Sequence, residues 1–177
     1  MNIGRVWLAA AAIALTGCSQ DRSGFRGDIR PFLDLEPVGS AEASSPYRTG
    51  KVLIVDRKLR AVDETQRWVP DGMRALRPEE VQTLIAVNKC YETEVGQYER
   101  LTRRPQSQMP PGPVASEHSC DLVLIDLPGR ILIGSATLTR PARLVISRGS
   151  SGAAGRPNEE IVRFVAFLPV RESKPAQ

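Results

Sequence analysis

A single histidine, His118, limits nucleophilic chemistry in this 177-residue chain, because any Ser-His-Asp or Cys-His arrangement has to use it. It stands in Glu117-His118-Ser119-Cys120-Asp121, and no Gly-x-Ser-x-Gly elbow accompanies it. A zinc site needs about four N, S or O ligands at recognisable spacing, and one histidine with Cys90 and Cys120 falls short of that pattern. His118 therefore reads as structural or incidental, and no metal is expected. Paired carboxylates could hydrolyse a glycan. The candidates are Asp63-Glu64, Glu79-Glu80, Glu159-Glu160, Asp121 and Asp126. The two Glu pairs sit where helix N-termini favour acids. Asp121 and Asp126, five apart on a strand, face opposite sides, so no convergent pair emerges. The glycine-rich residues 149–156 could cradle a phosphate at a helix N-terminus. They carry neither Gly-x-Gly-x-x-Gly nor the Gly-Lys-Ser/Thr of a P-loop, and read as a mobile loop. No catalytic residue and no cofactor is expected.

The strongest chemical signal lies at the N-terminus. Arg5 precedes an apolar run from Val6 to Leu15, then Thr16, Gly17 and Cys18 follow, and polarity begins at Ser19. A short basic region, an apolar core and small residues read as a secretory signal. The apolar core falls well short of the roughly 20 residues that cross a bilayer. Leu15-Thr16-Gly17-Cys18 resembles the lipobox of bacterial lipoprotein precursors, a resemblance confined to about the first twenty residues. It implies removal of residues 1–17, a diacylglyceryl thioether on Cys18 and, usually, an acyl chain on the new amino group. Each buried CH₂ contributes about 0.8 kcal/mol and one chain binds only marginally, so several chains make a stable anchor. In Gram-negative members an Asp after the acceptor cysteine retains the protein at the inner membrane. Ser19 stands there, which implies the outer membrane with the protein facing the periplasm.

Removing the signal leaves about 160 residues, enough for one domain with a real core. The net charge of +4 falls by one with Arg5, too mild a surplus to imply nucleic acid. The clusters Arg57-Lys58-Arg60 and Arg100-Arg103-Arg104 read as solvated faces, with weak attraction to anionic lipid or polymer as the alternative. With Cys18 acylated, Cys90 and Cys120 remain, and an even pair in an oxidising compartment reads as a disulfide. The two are 30 residues apart. Closing a loop of that length stabilises by roughly 3.5 kcal/mol on loop-closure entropy. No Cys-x-x-Cys is present to suggest a reactive redox pair.

Residues 18–49 contain Gly24, Gly27, Pro31, Pro37, Gly39 and Pro46 and read as a lipidated N-terminus with a flexible tether. Ile29, Phe32, Leu33 and Leu35 interrupt that pattern. Docking on the domain or disorder is favoured for them over a partner-binding peptide. Residues 50–170 are expected to form one globular domain, and residues 171–177 a disordered tail. Within the domain, residues 51–56 predict a buried strand, residues 59–62 a shorter return strand, and Pro70-Asp71-Gly72 a turn. Pro78-Glu79-Glu80 has the form of a first helical turn. Helical and strand periods conflict after it. The β-branched content decides for a strand over residues 83–91, with residues 95–101 returning and Gly96 at a bulge. Residues 103–118, with Pro110, Pro111, Gly112 and Pro113, read as a long loop whose end the disulfide pins. Residues 121–127 and 131–138 around Pro128-Gly129-Arg130 read as a β-hairpin, and residues 143–147 as a further strand. Pro157 opens a helix with Ile161, Phe164, Val165 and Leu168 on one face, and Pro169 stops it. The predicted fold class is α+β: an antiparallel sheet of about five strands with the C-terminal helix packed on one face.

The function expected from these readings is that of a lipid-anchored cell-envelope protein, joined to the membrane through Cys18 and acting non-enzymatically on an envelope protein partner. A binding module for an anionic envelope ligand is the alternative, and a cell-wall hydrolase the weaker one.

Overall fold

The apolar run after Lys51 shows no alternation, so it needs cover on both faces. In the computed structural model, which describes residues 23–41, 45–98, 112–143 and 153–172, it forms a strand buried at every position. The elements in chain order are α1 (Arg30–Leu33), β1 (Gly39–Ser40), β2 (Val52–Asp56), β3 (Ala61–Val62), 3-10 helices at Glu64–Trp68 and Pro78–Glu80, β4 (Thr83–Gln97), β5 (Val114–Asp126), β6 (Ile131–Arg140) and α2 (Asn158–Phe167). One sheet holds all six strands in the order β1-β6-β5-β4-β2-β3.

Alternation sorts the side chains into two cores. Val52, Ile54, Ile85, Val87, Leu122 and Leu124 face one side, where Ile161 and Val165 of α2 and Leu168 just after it cover them. Phe164 of the same apolar stripe is only half-buried. Leu53, Val55, Leu84, Ala86 and Ile125 face the other side and are covered by Phe25, Phe32 and Leu33. A buried glutamine completes the edge of β2. The Ile54 N–H donates to Gln66 Oε1 at 2.9 Å, and Gln66 Nε2 donates to the carbonyls of Val52 and Ala75 at 3.0 and 3.1 Å. Backbone groups that would be orphaned in the interior are thereby satisfied.

The mixed α+β class and the C-terminal helix on one face are as expected, but the sheet is mixed and six-stranded, not antiparallel and five-stranded. β2 runs parallel to β4, and β1 parallel to β6. A parallel pair needs a crossover. Residues 57–82 supply the first of these through β3, the turn near Asp71 and the two 3-10 helices. The second depends on a strand from the stretch read as a tether. For residues 23–41 the flexible reading is corrected, and of the two alternatives held open for Ile29, Phe32, Leu33 and Leu35 the structure shows docking. Phe25, Phe32 and Leu33 are buried, and Gly39–Ser40 pairs with β6. Without them the second face of β2 and β4 would lie open to water, so burial outweighs the ordering entropy that composition alone suggested. The domain likewise runs past residue 170, because the Arg171 N–H donates to the Arg48 carbonyl at 2.9 Å.

β4 also departs from expectation. Residues 95–97 are not a return strand but the far end of one 15-residue strand, whose partner is β5. The loop predicted over residues 103–118 gives way to strand at Val114, because Ala115 and Ser116 find cover that the nearby prolines did not suggest. Gly96 does sit at a register shift, between Glu94 and itself. The β5–β6 hairpin forms as predicted. Its left-handed position falls on Arg130, with φ 50°, and not on Gly129. Glycine serves position 129 for a different reason, since a Cβ there would lie 2.8 Å from Ile131 Cδ1 and 3.1 Å from the Asp126 carboxylate. The signal region, Cys18, all but the first residue of the strand predicted at 143–147 and residues 149–152 lie outside the described residues.

Candidate functional site

Where β4 outruns β2, the β4–β5 pair gathers the residues singled out for chemistry. β2 ends at Asp56, opposite Val87, and the β4–β5 register shifts between Val87 and Lys89. A bulge of this kind reverses the parity of the strand beyond it. Val87 faces α2, and a regular strand would have sent Lys89 to that side. The shift gives the place to Cys90, directly opposite Cys120. The two form the expected disulfide. Cys120 is fully buried and Cys90 half-buried.

One alternation further out, Glu92 stands opposite His118. Cys90, Glu92, His118 and Cys120 therefore occupy the corners of a rectangle on one face of a two-stranded ribbon. His118 Nδ1 lies 3.8 Å from Glu92 Oε1, and the His118 side chain is 18% exposed against 54% for Glu92. The two sulfurs and an imidazole nitrogen lie within 4.8 Å of one another. Leu138 on β6 faces Cys120, and Arg140 faces His118. Arg140 in turn reaches Glu159 at 3.0 Å and Glu160 at 3.4 Å, which ties the ribbon to the first turn of α2.

The other candidate acids serve the fold. Asp63 caps the first 3-10 helix by accepting from the Thr65 N–H at 2.9 Å, and its buried carboxylate pairs with Arg156. The same guanidinium lies 3.5 Å from Asp56 and 4.0 Å from Glu64. Asp126 accepts from Thr49 Oγ1 at 2.6 Å, and Asp121 from Thr137 Oγ1 at 2.8 Å. Glu79 lies 4.0 Å from Arg77. Glu80 is held below the ordinary carboxylate range, first by the Leu76 N–H and then by Lys51. The cluster Arg57-Lys58-Arg60 is not an open basic patch, since Arg57 pairs with Glu36 and Arg60 with Asp34. The hydrogen bond from Arg60 lowers the pKa of Asp34 in return. Arg100, Arg103 and Arg104 lie outside the described residues.

Glu92 and Arg140 are the site residues that sequence reasoning missed. The signal was present. Once Cys90 and Cys120 are taken as an antiparallel cross-strand pair, each step of two outward on one strand meets a step of two on the other, and His118 must meet Glu92. Comparison with family models, with curated proteins and with solved structures finds no match to this chain.

Proposed function

We propose that this chain is a lipid-anchored cell-envelope protein, held at the outer membrane through Cys18 and facing the periplasm, whose folded body acts by contact with an envelope protein and not by catalysis. The observation that carries the contact reading is the outer half of β4. Beyond Val87 it pairs with β5 alone among the described residues, and Glu92, Thr93, Glu94, Val95, Gly96 and Gln97 are all exposed. An exposed strand edge is a template for pairing with another chain. Val95 is 50% exposed there and offers an apolar anchor. The Cys90–Cys120 disulfide supports the address, because such bonds persist in oxidising compartments. The anchor itself rests on the lipobox resemblance.

Photo-crosslinking in intact cells tests the contact. A photoreactive residue at Val95 should give a discrete envelope-protein adduct, while one at Leu59, 70% exposed in the β2–β3 turn, should not. Equal adducts at both positions, or none at either, would overturn the reading. Cys18→Ser should release the protein from the membrane fraction, and unchanged membrane association at unchanged size would remove the anchor.

A further inference from the structure

We infer that the Cys90–His118–Cys120 cluster, with Glu92 as its fourth corner, is a zinc site that opens when the disulfide is reduced. The inference stands on the β4–β5 geometry and is independent of where the chain is anchored. Zinc takes four N, S or O ligands in a tetrahedron, with thiolates and imidazole preferred. Two sulfurs, one imidazole nitrogen and one carboxylate make such a set. Tetrahedral ligands at about 2.0–2.3 Å from the metal lie about 3.3–3.8 Å apart. The sulfurs, bonded to each other in the oxidised chain, part once reduced, and the imidazole nitrogen already lies within 4.8 Å of both. Glu92 Oε1 lies 3.8 Å from His118 Nδ1, already near that separation.

The surroundings suit the chemistry. Cys120 belongs to the core beneath α2, and Leu138 and Phe164 pack against that core, giving the site an apolar floor. Two thiolates, a carboxylate and Zn²⁺ leave one net negative charge. Arg140 faces His118 from β6, beside that charge. Cys90 and Glu92 keep the outer side open to an entering ion.

Opening needs a dithiol reductant. Its thiolate attacks the Cys90 sulfur, the more exposed of the two, and forms a mixed disulfide while Cys120 leaves as a thiolate. The reductant's second thiol then displaces Cys90 and becomes its own disulfide, so two electrons pass to the protein. Zinc binds the two thiolates, and the protons that would otherwise sit on the sulfurs go to solvent. The oxidised chain lacks thiolates and binds no zinc at this place.

Cobalt(II) titration of the full chain, kept free of oxygen, provides the test. After reduction with a phosphine, thiolate-to-cobalt charge-transfer absorption should rise and saturate at one metal per chain, and zinc should displace it. The oxidised chain should give no such band. His118→Ala and Glu92→Ala should each weaken binding by more than the roughly 100-fold that loss of an outer-shell partner can cause. Where reduction loosens the sheet, added zinc should restore its circular dichroism, because the metal then supplies folding free energy. A reduced chain that shows no thiolate–cobalt band and is not refolded by zinc overturns the inference. So does binding that His118→Ala leaves unchanged, or uptake of copper(I) alone.

Discussion

The two halves of the β4–β5 pair are built on different physics. Thr83, Leu84, Ile85, Ala86 and Val87 are buried on both faces, between α2 and the N-terminal segment. From Asn88 outward the same strand is half-buried or exposed. The inner half rests on burial, at about 25 cal/mol per Å² of apolar area removed from water. The outer half rests on its backbone ladder, one disulfide and polar cross-strand pairs such as Ser119 with Thr139, whose hydroxyl oxygens lie 2.7 Å apart. The bulge after Val87 marks the change of regime, and Cys90–Cys120 is the clasp just beyond it. An inner sheet of this kind unfolds as a whole, whereas an outer ribbon of this kind opens locally.

The largest effect should come from a buried charge just past β3, the edge strand of the sheet, outside the ribbon. Arg156→Leu leaves the Asp63 carboxylate, whose side chain is 0% exposed, without its cation. Stranding a buried charge costs about 3–5 kcal/mol. Urea unfolding should show that loss, and a change below 1 kcal/mol would mean that the Thr65 hydroxyl and amide suffice for Asp63. Ile85→Ala should follow at about 2–5 kcal/mol, because the side chain is fully buried under α2 and leaves a cavity.

Reducing the disulfide, or replacing both cysteines with alanine, should lower stability by about 3.5 kcal/mol on loop-closure entropy. The distribution of that loss matters more than its size. Amide exchange should accelerate first at Glu92 and Glu94 and at Ser116 and His118 opposite them, while Leu84, Ile85 and Ala86 keep their protection. Uniform loss across both halves would show that the strand behaves as one unit, with no boundary at the bulge after Val87.

How far the sequence spoke follows the same divide. Where burial rules, the pattern was readable. The unbroken run after Lys51, the hairpin around Pro128-Gly129-Arg130 and the apolar stripe of α2 are all in place. Where burial is shared with distant segments, it was not. Docking of Phe32 and Leu33 stood open beside disorder, Phe25 carried no signal, and nothing local among the glycines and prolines says which sheet face awaits them. Strand direction was hidden for a related reason. Whether β2 and β4 run parallel depends on the path of residues 57–82, not on either strand's own residues. On the ribbon, polar residues carry no burial signal, so β4 past Tyr91 could not be told from a turn and a return. The disulfide was legible by counting cysteines. Its neighbour Glu92 required the register, which that pair itself supplies.

The smallest expected effect is also the sharpest test of the ribbon's role. Val95 is a β-branched residue near the outer end of β4, at its second register shift, 50% exposed and without the two-sided cover that Ile85 enjoys. Val95→Ala removes apolar atoms that already face water, so stability should change by no more than about 0.5 kcal/mol. A loss near that of Ile85→Ala would mean that other residues pack on Val95 and that the outer half has a core of its own. If stability holds while the envelope crosslinks from a photoreactive residue at the exposed Thr93 disappear, the Val95 side chain is being kept for a partner. A strand that needed Val95 only for its own folding would have to lose both together.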